Sequence, residues 1–127
     1  MTRKEQREQA FCLVFQDLFN NDEALATYEE NVSQIGDYAR LLFEGVISKK
    51  DELDEFINKY SKGWRTTRLP KVNLAILRLA VYEIMYVDEV PDSVAVNEAV
   101  ELAKTYSGEG DYSFINGVLG AVIKGEK

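Results

Sequence analysis

The segment LAILRLAVYEIM, residues 74–85, decides the fold of this chain. It is apolar on nearly every side when drawn as a helix, a pattern typical of a helix in the middle of a bundle. A membrane-spanning helix needs about 20 apolar residues, so this shorter run with Arg78 and Glu83 inside it predicts a core helix. The two charges lie roughly 140° apart around the helix and therefore cannot pair with each other.

Each of these two charges needs a partner on another helix, because a buried unpaired charge costs several kcal/mol. We expect the partners among polar groups embedded in the two apolar helices that follow. Arg78, Glu83 and these groups are interpreted as structural cross-links that fix helix register, not as catalytic residues. The candidate partners are Asn97, Glu98, Glu101 and Asn116.

The rest of the chain is also helical in pattern, and Pro70 and Pro91 are its only prolines. No repeat, low-complexity tract or linker divides it, so residues 1–127 are predicted to form a single all-α domain of about six to seven helices. One segment keeps helical spacing for so long that it is either one long helix or two abutting helices. The predicted segments are 3–19, 23–34, 38–62 (the long one), about 70–87, and two that begin near 92 and 111.

The composition argues against an enzyme. There is no histidine, the commonest general base and metal ligand at neutral pH, and there is one cysteine, Cys12. We therefore predict no catalytic residues, no metal site and no cofactor. Cys12 lies among apolar neighbours and is expected to be a buried thiol. The polar residues 1–9 lack a secretion signal, so a cytoplasmic protein without a membrane segment is expected.

The charge is unevenly distributed along the chain. The formal net charge is −7, yet residues 56–82 contain six bases and no acid. The first ten residues add Arg3, Lys4 and Arg7. An acidic protein with confined basic patches can bind an anion locally, although the same pattern also fits a solvated loop and helix end. Both interpretations remain open on composition alone.

Three motifs in the second half resemble the NusB family of transcription antitermination factors. They are AILRLAVYEI (75–84), VPDSVAVNEAVELAKTYS (90–107) and FINGVLGAV (114–122). The resemblance implies two small helical bundles packed against each other. It also implies binding of boxA-type single-stranded RNA together with the ribosomal protein NusE. In the family this pair helps the RNA polymerase antitermination complex read through terminators, notably in ribosomal RNA operons.

The resemblance also suggests which residues bind the RNA and which bind the protein partner. Phosphates are assigned to the basic start of the first helix, and base stacking is assigned to the aromatic residues of the FINGVL motif and the loop before it. Partner binding is assigned to two positions where the family often has a tyrosine and an acid. Gly117 is expected to permit close helix approach, and the basic run 59–71 receives no role. The assigned residues are Arg3, Lys4 and Arg7 for phosphates, Tyr112 and Phe114 for bases, and Phe15 and Asn73 for the partner.

Two alternatives come from other classes of protein. A NusB-like domain also forms the amino-terminal part of certain ribosomal RNA cytosine methyltransferases. A chain that stops at Lys127 is expected to leave no room for a methyl-donor domain. The second alternative is a purely protein-binding helical scaffold, which would show no RNA affinity even in the presence of NusE.

Overall fold

Seven α-helices make up most of the structure, a computed structural model that describes residues 1–127. Two short 3₁₀ turns, Val32–Gln34 and Thr66–Arg68, lie between them, and there is no strand. The all-α prediction is confirmed. The helices are α1 (Arg3–Asp17), α2 (Asn21–Glu30), α3 (Asp37–Ser48), α4 (Lys50–Tyr60), α5 (Lys71–Tyr86), α6 (Asp92–Tyr106) and α7 (Asp111–Glu126).

The segment 38–62, predicted to be one long helix or two abutting helices, is two helices. The backbone leaves helical geometry at Lys49, where φ is −124° and ψ is 21°. This break falls in the polar stretch between the two apolar stripes, where no buried side chain holds the helix straight. Helix α1 ends at Asp17, two residues earlier than predicted, so Phe19 lies beyond the helix.

Helix α5 lies at the centre of the molecule. Eleven of its sixteen residues are buried, because its surface is covered on different sides by α1, α3, α4, α6 and α7. Helices α1, α2 and α3 pack with α5 as one bundle, and α4, α6 and α7 pack with it as the other. The two bundles therefore share α5, and their buried side chains form one continuous core.

Glu83 has partners on α1 and α3. Its side chain is 2% exposed, and its two carboxylate oxygens accept hydrogen bonds from Nε of Arg7 at 3.0 and 2.9 Å. The hydroxyl of Tyr38 donates to the same carboxylate. Burial, followed by this hydrogen bond, raises the pKa of Tyr38 well above its usual range, so the phenol stays a donor.

Arg78 forms an ion pair with Asp54 of α4. Its Nε and Nη2 atoms donate to the two carboxylate oxygens of Asp54 at 2.8 and 2.7 Å. Both charges of α5 are thus buried with partners on other helices, but the expected partners on α6 and α7 are not used. Asn97, Glu101 and Asn116 are exposed, and Glu98 accepts a hydrogen bond from Lys4. The α6 and α7 side chains that are buried in the core are instead mostly small or aliphatic, such as Ala95, Ala99 and Ile115.

Cys12 is exposed, so the prediction of a buried thiol is wrong. Its neighbours Phe11 and Leu13 are buried, but adjacent residues of a helix point to different faces. Partial burial, with the charge of Glu8 as a smaller contribution, raises the pKa of the thiol. No helix is both long enough and apolar enough to cross a membrane.

Candidate nucleic-acid interface

The start of α1 presents two of the three predicted phosphate ligands at the surface. Thr2 caps the helix: its hydroxyl accepts from the Glu5 amide at 3.0 Å, and the Glu5 carboxylate accepts from the Thr2 amide at 2.8 Å. Arg3 is exposed, with its guanidinium carbon 3.8 Å from the centre of the Tyr38 ring. Lys4 is also exposed, and its ammonium lies 3.3 Å from the Glu98 carboxylate. Both cations can reach a ligand without unfolding the helix.

Arg7 lies one turn further along α1 and is only 5% exposed. Its guanidinium is held by the buried Glu83 carboxylate. This position does not suit the expected phosphate contact, because reaching a phosphate would require breaking a buried ion pair. Arg7 is a structural partner of α5, whereas Arg3 has no carboxylate partner and Lys4 forms only an exposed ion pair with Glu98.

The two predicted stacking aromatics lie on different sides of α7. Tyr112 is exposed on the side of α6, with the Lys104 ammonium 5.1 Å from its ring centre. Phe114 is half-buried and lines a groove together with Tyr60 and Trp64, which lie at the end of α4 and in the loop after it. The groove that Phe114 lines does not include Tyr112, so the structure does not bring the two aromatic side chains together.

Asn73 anchors the start of α7 instead of facing solvent. It is 3% exposed, and its amide nitrogen donates to Asp111 at 3.3 Å. The Ser107 hydroxyl lies 2.8 Å from the same Asp111 oxygen and also contacts the Asn73 amide oxygen. Hydrogen bonds from Ser107 and then Asn73 lower the pKa of Asp111. The Asn73 side chain is therefore buried and holds the start of α7 in place instead of being exposed to a partner.

Phe15 belongs to a row of aromatic rings along the second half of α1. Its ring centre lies 6.0 Å from that of Phe11 and 5.0 Å from that of Phe19. Phe11 in turn lies 5.1 Å from Tyr106 of α6. Phe19 is 62% exposed, so this row, which we call the aromatic row, presents apolar surface of the kind that marks a protein-binding site.

The free cations are concentrated in one segment. Nine of the fifteen lysines and arginines form ion pairs with carboxylates. Four of the remaining six lie within residues 62–71; of these, Lys62 lines the groove that contains Phe114, and Lys71 lies near Phe19. The six without a carboxylate partner are Arg3, Lys62, Arg65, Arg68, Lys71 and Lys124.

Comparison with known proteins agrees with this architecture. The model of the NusB family matches residues 4–124. This chain belongs to the NusB family. It is 45% identical to the transcription antitermination protein NusB of Acetivibrio thermocellus, over 98% of this chain and 90% of the relative. It is 43% identical to the NusB of Listeria monocytogenes over the full length of both chains.

Solved structures of NusB proteins superpose on the chain closely. The T. maritima NusB structure matches with a TM-score of 0.88 at 30% identity, covering 98% of this chain and 92% of the other. The structure of the antitermination factors NusB and NusE in complex with dsRNA contains a chain that matches with a TM-score of 0.82 at 26% identity, with 98% of each chain covered. The NusB-like fold predicted from the three motifs is confirmed.

Trp64 is the groove residue that sequence reasoning missed in this NusB-family chain. It lies in a connection without helical periodicity, and no motif includes it. Its neighbours in sequence did carry a signal, because the acid-free basic run surrounds it. Phe11, Phe15 and Phe19 of the aromatic row were visible in the sequence as a spacing of four, but that spacing also fits an ordinary core stripe.

The hydrogen bonds that Asp111 accepts from Asn73 and Ser107 should stabilise the protein in a pH-dependent way. Because the pKa of Asp111 is lowered in the folded protein from its usual 3.8, its stabilising effect is present above about pH 4 and is lost as the pH falls through the folded pKa. We expect Asp111→Asn to be less stable than wild type at pH 7, with the difference shrinking at pH 3. Urea titrations at both values measure this, and a difference independent of pH would contradict it.

Proposed function

We propose that this protein is a transcription antitermination factor that binds boxA-type single-stranded RNA together with the ribosomal protein NusE. In this role it promotes read-through by RNA polymerase within an antitermination complex in the cytoplasm, notably in ribosomal RNA operons, and catalyses no reaction. The observation that carries the proposal is family membership over the whole chain, at 45% identity to a transcription antitermination protein NusB. The likeness to the NusB chain of a complex with NusE and dsRNA adds support.

The surface chemistry suits an RNA ligand despite the net charge of −7. Arg3 and Lys4 are exposed at the start of α1, and the free cations of residues 62–71 form a second basic region. Single-stranded RNA is bound by cations that meet its phosphates and by aromatic rings that stack on its bases. Phe114 supplies such a ring beside the second region.

The aromatic row suits a protein partner such as NusE. It combines the exposed ring of Phe19 with the half-buried ring of Phe15, and Lys71 lies 5.6 Å from the Phe19 ring centre. Protein interfaces are enriched in aromatic residues at their cores. Phe15 is therefore retained as a partner-binding residue, and Asn73 is retained through its buried contact with Asp111 at the start of α7.

The test is a titration of labelled boxA-type RNA with the protein, in the presence and absence of NusE. We expect tighter RNA binding when NusE is present. Phe19→Ser should reduce the gain that NusE provides, because it removes an exposed ring of the aromatic row without disturbing α1. Leu41→Ser is the matched control, since Leu41 is also an exposed large apolar residue (48%) but lies on α3.

Two outcomes would overturn the proposal. Absence of RNA binding at saturating NusE would reject an RNA-binding factor and favour the protein-binding scaffold. Equal loss of the NusE effect in Phe19→Ser and Leu41→Ser would remove the aromatic row as the partner site.

A further inference from the structure

A groove lies between the first half of α7 and the chain that follows α4. Tyr60, Trp64 and Phe114 supply its aromatic walls, Lys62 lies at its edge, and Gly117 forms part of its floor. Its volume is about 280 Å³, at the small end of ligand pockets, which suits a single planar ring. Sequence positions 64 and 114 meet here because α4 packs against α7.

Trp64 is 54% exposed on a loop that the protein holds in place. The buried hydroxyl of Ser61 donates to the Trp64 carbonyl. The amide of Trp64 donates to the Ser61 carbonyl at 3.3 Å, and the amide of Thr66 donates to the Asn58 side chain at 2.8 Å. The loop turns at Gly63, whose φ of +92° is in the left-handed region that favours glycine. An exposed tryptophan on an anchored loop is a preorganised contact surface.

Gly117 is not needed for helix packing. A Cβ atom at this position would meet no atom within 4 Å, which is contrary to the expectation that Gly117 permits close helix approach. A glycine inside a helix is destabilising relative to alanine, so its presence needs another reason. At Gly117 the missing side chain keeps the groove floor open. Gly120 has equally free surroundings but does not line the groove.

The charge around the groove favours an anionic ligand. Lys62 lines the groove, and Arg65 and Arg68 follow Trp64 in the next few residues of the chain. All three side chains are exposed, and none of them forms an ion pair with a carboxylate. The nearby acid, Glu126, already accepts from Lys59 at 2.9 Å and from the Tyr60 hydroxyl. The groove thus combines aromatic walls with uncompensated positive charge at its edge.

We propose that this groove binds an unpaired base of the RNA, which stacks against Trp64 and Phe114 while Lys62, Arg65 and Arg68 hold the adjoining phosphates. The site rests on the proposed RNA-binding function and gives the basic run 59–71 a role. A peptide segment without acidic residues would use the aromatic walls but would leave the three cations without a partner. A nucleotide of single-stranded RNA uses both features, because its base stacks on the aromatic rings and its phosphates meet the cations.

The fluorescence of Trp64, the single tryptophan of the chain, reports directly on the groove. We expect single-stranded boxA-type RNA to change it with NusE held saturating, and a fully paired duplex or NusE alone to leave it unchanged. Trp64→Ala should weaken RNA binding about 5- to 150-fold, the range for loss of one stacking aromatic. Trp64→Phe should retain most of the affinity because it keeps a stacking ring.

Two glycine variants separate ligand binding from folding. Gly117→Ala and Gly120→Ala should both raise the melting temperature, because alanine favours the helix and neither added Cβ meets another atom. Only Gly117→Ala should weaken RNA binding, since only its methyl group would enter the groove. Equal RNA affinity in the two variants would count against the site.

The cations are tested by the salt dependence of RNA binding. The Lys62, Arg65 and Arg68 triple alanine variant should flatten the log–log salt slope by about two units, at about 0.7 per lost phosphate contact. Lys124→Ala, which removes another unpaired cation, should leave the slope nearly unchanged.

The outcomes distinguish the groove from the wider function. Wild-type protein that binds no RNA with NusE present rejects the proposed function itself. Wild-type binding with unchanged affinity in Trp64→Ala and Gly117→Ala rejects the groove alone. A Trp64 fluorescence change caused by NusE without RNA would make the groove a protein-binding site and overturn the proposal.

Discussion

Replacing Glu83 by alanine should destabilise the protein by about 3–5 kcal/mol, the range for removing one partner of a buried ion pair. The variant would leave the Arg7 guanidinium, whose side chain is 6% exposed, without a counter-charge. It would also leave the Tyr38 hydroxyl without its acceptor. Urea unfolding followed by circular dichroism measures the loss, provided that the variant still folds at low temperature.

A double variant separates the stranded charge from lost packing. Arg7→Met combined with Glu83→Met removes both charges and keeps most of the side-chain volume, so it should recover much of the stability that Glu83→Ala loses. Stability of Glu83→Ala within about 0.5 kcal/mol of wild type, the usual range for surface substitutions, would show that the ion pair does not support the fold.

Replacing Asp54 by alanine should destabilise the protein by about 2–4 kcal/mol, somewhat less than the Glu83 variant. It strands Arg78, whose side chain is 9% exposed. Because Asp54 itself is 21% exposed, water already reaches this pair and can hydrate part of the stranded charge. The same urea titrations compare the two variants.

A variant that removes the other member of this ion pair supplies the control. Arg78→Met keeps the buried alkyl stem and leaves Asp54, the better hydrated partner, without its cation. It should cost about 1–3 kcal/mol and thus less than Asp54→Ala. If Arg78→Met were the more destabilising of the two, hydration of Asp54 could not explain the difference.

The central helix and its buried charges could be predicted from the sequence, because apolar residues on every side of a helix imply burial. The partners of those charges could not. Spacing within a helix gives the direction of a side chain but does not identify the helix that it meets. Arg7 shows the same limit: the family resemblance assigned it to a phosphate, whereas its side chain is buried against Glu83 of α5.

The candidate interface was only partly predictable. Phe114 is part of a sequence motif, and Phe15 is part of a regular spacing, so both could be singled out. Trp64 could not, because Phe114, which lines the same groove, is fifty residues away in the chain. The groove exists only once α4 and α7 pack together, and no local pattern encodes that packing.

The sharing of α5 by both bundles has a consequence for how the molecule unfolds. If one bundle unfolded alone, the side of α5 that it covers would be exposed to water, which is unfavourable for an apolar helix. Neither bundle can therefore lose its core while the other stays folded. The two bundles are therefore one cooperative unit. A substitution that destabilises either bundle lowers the free energy of unfolding of the whole chain. A loosened partner surface at α1 and a loosened groove at α7 are thus coupled through a helix that forms neither of them.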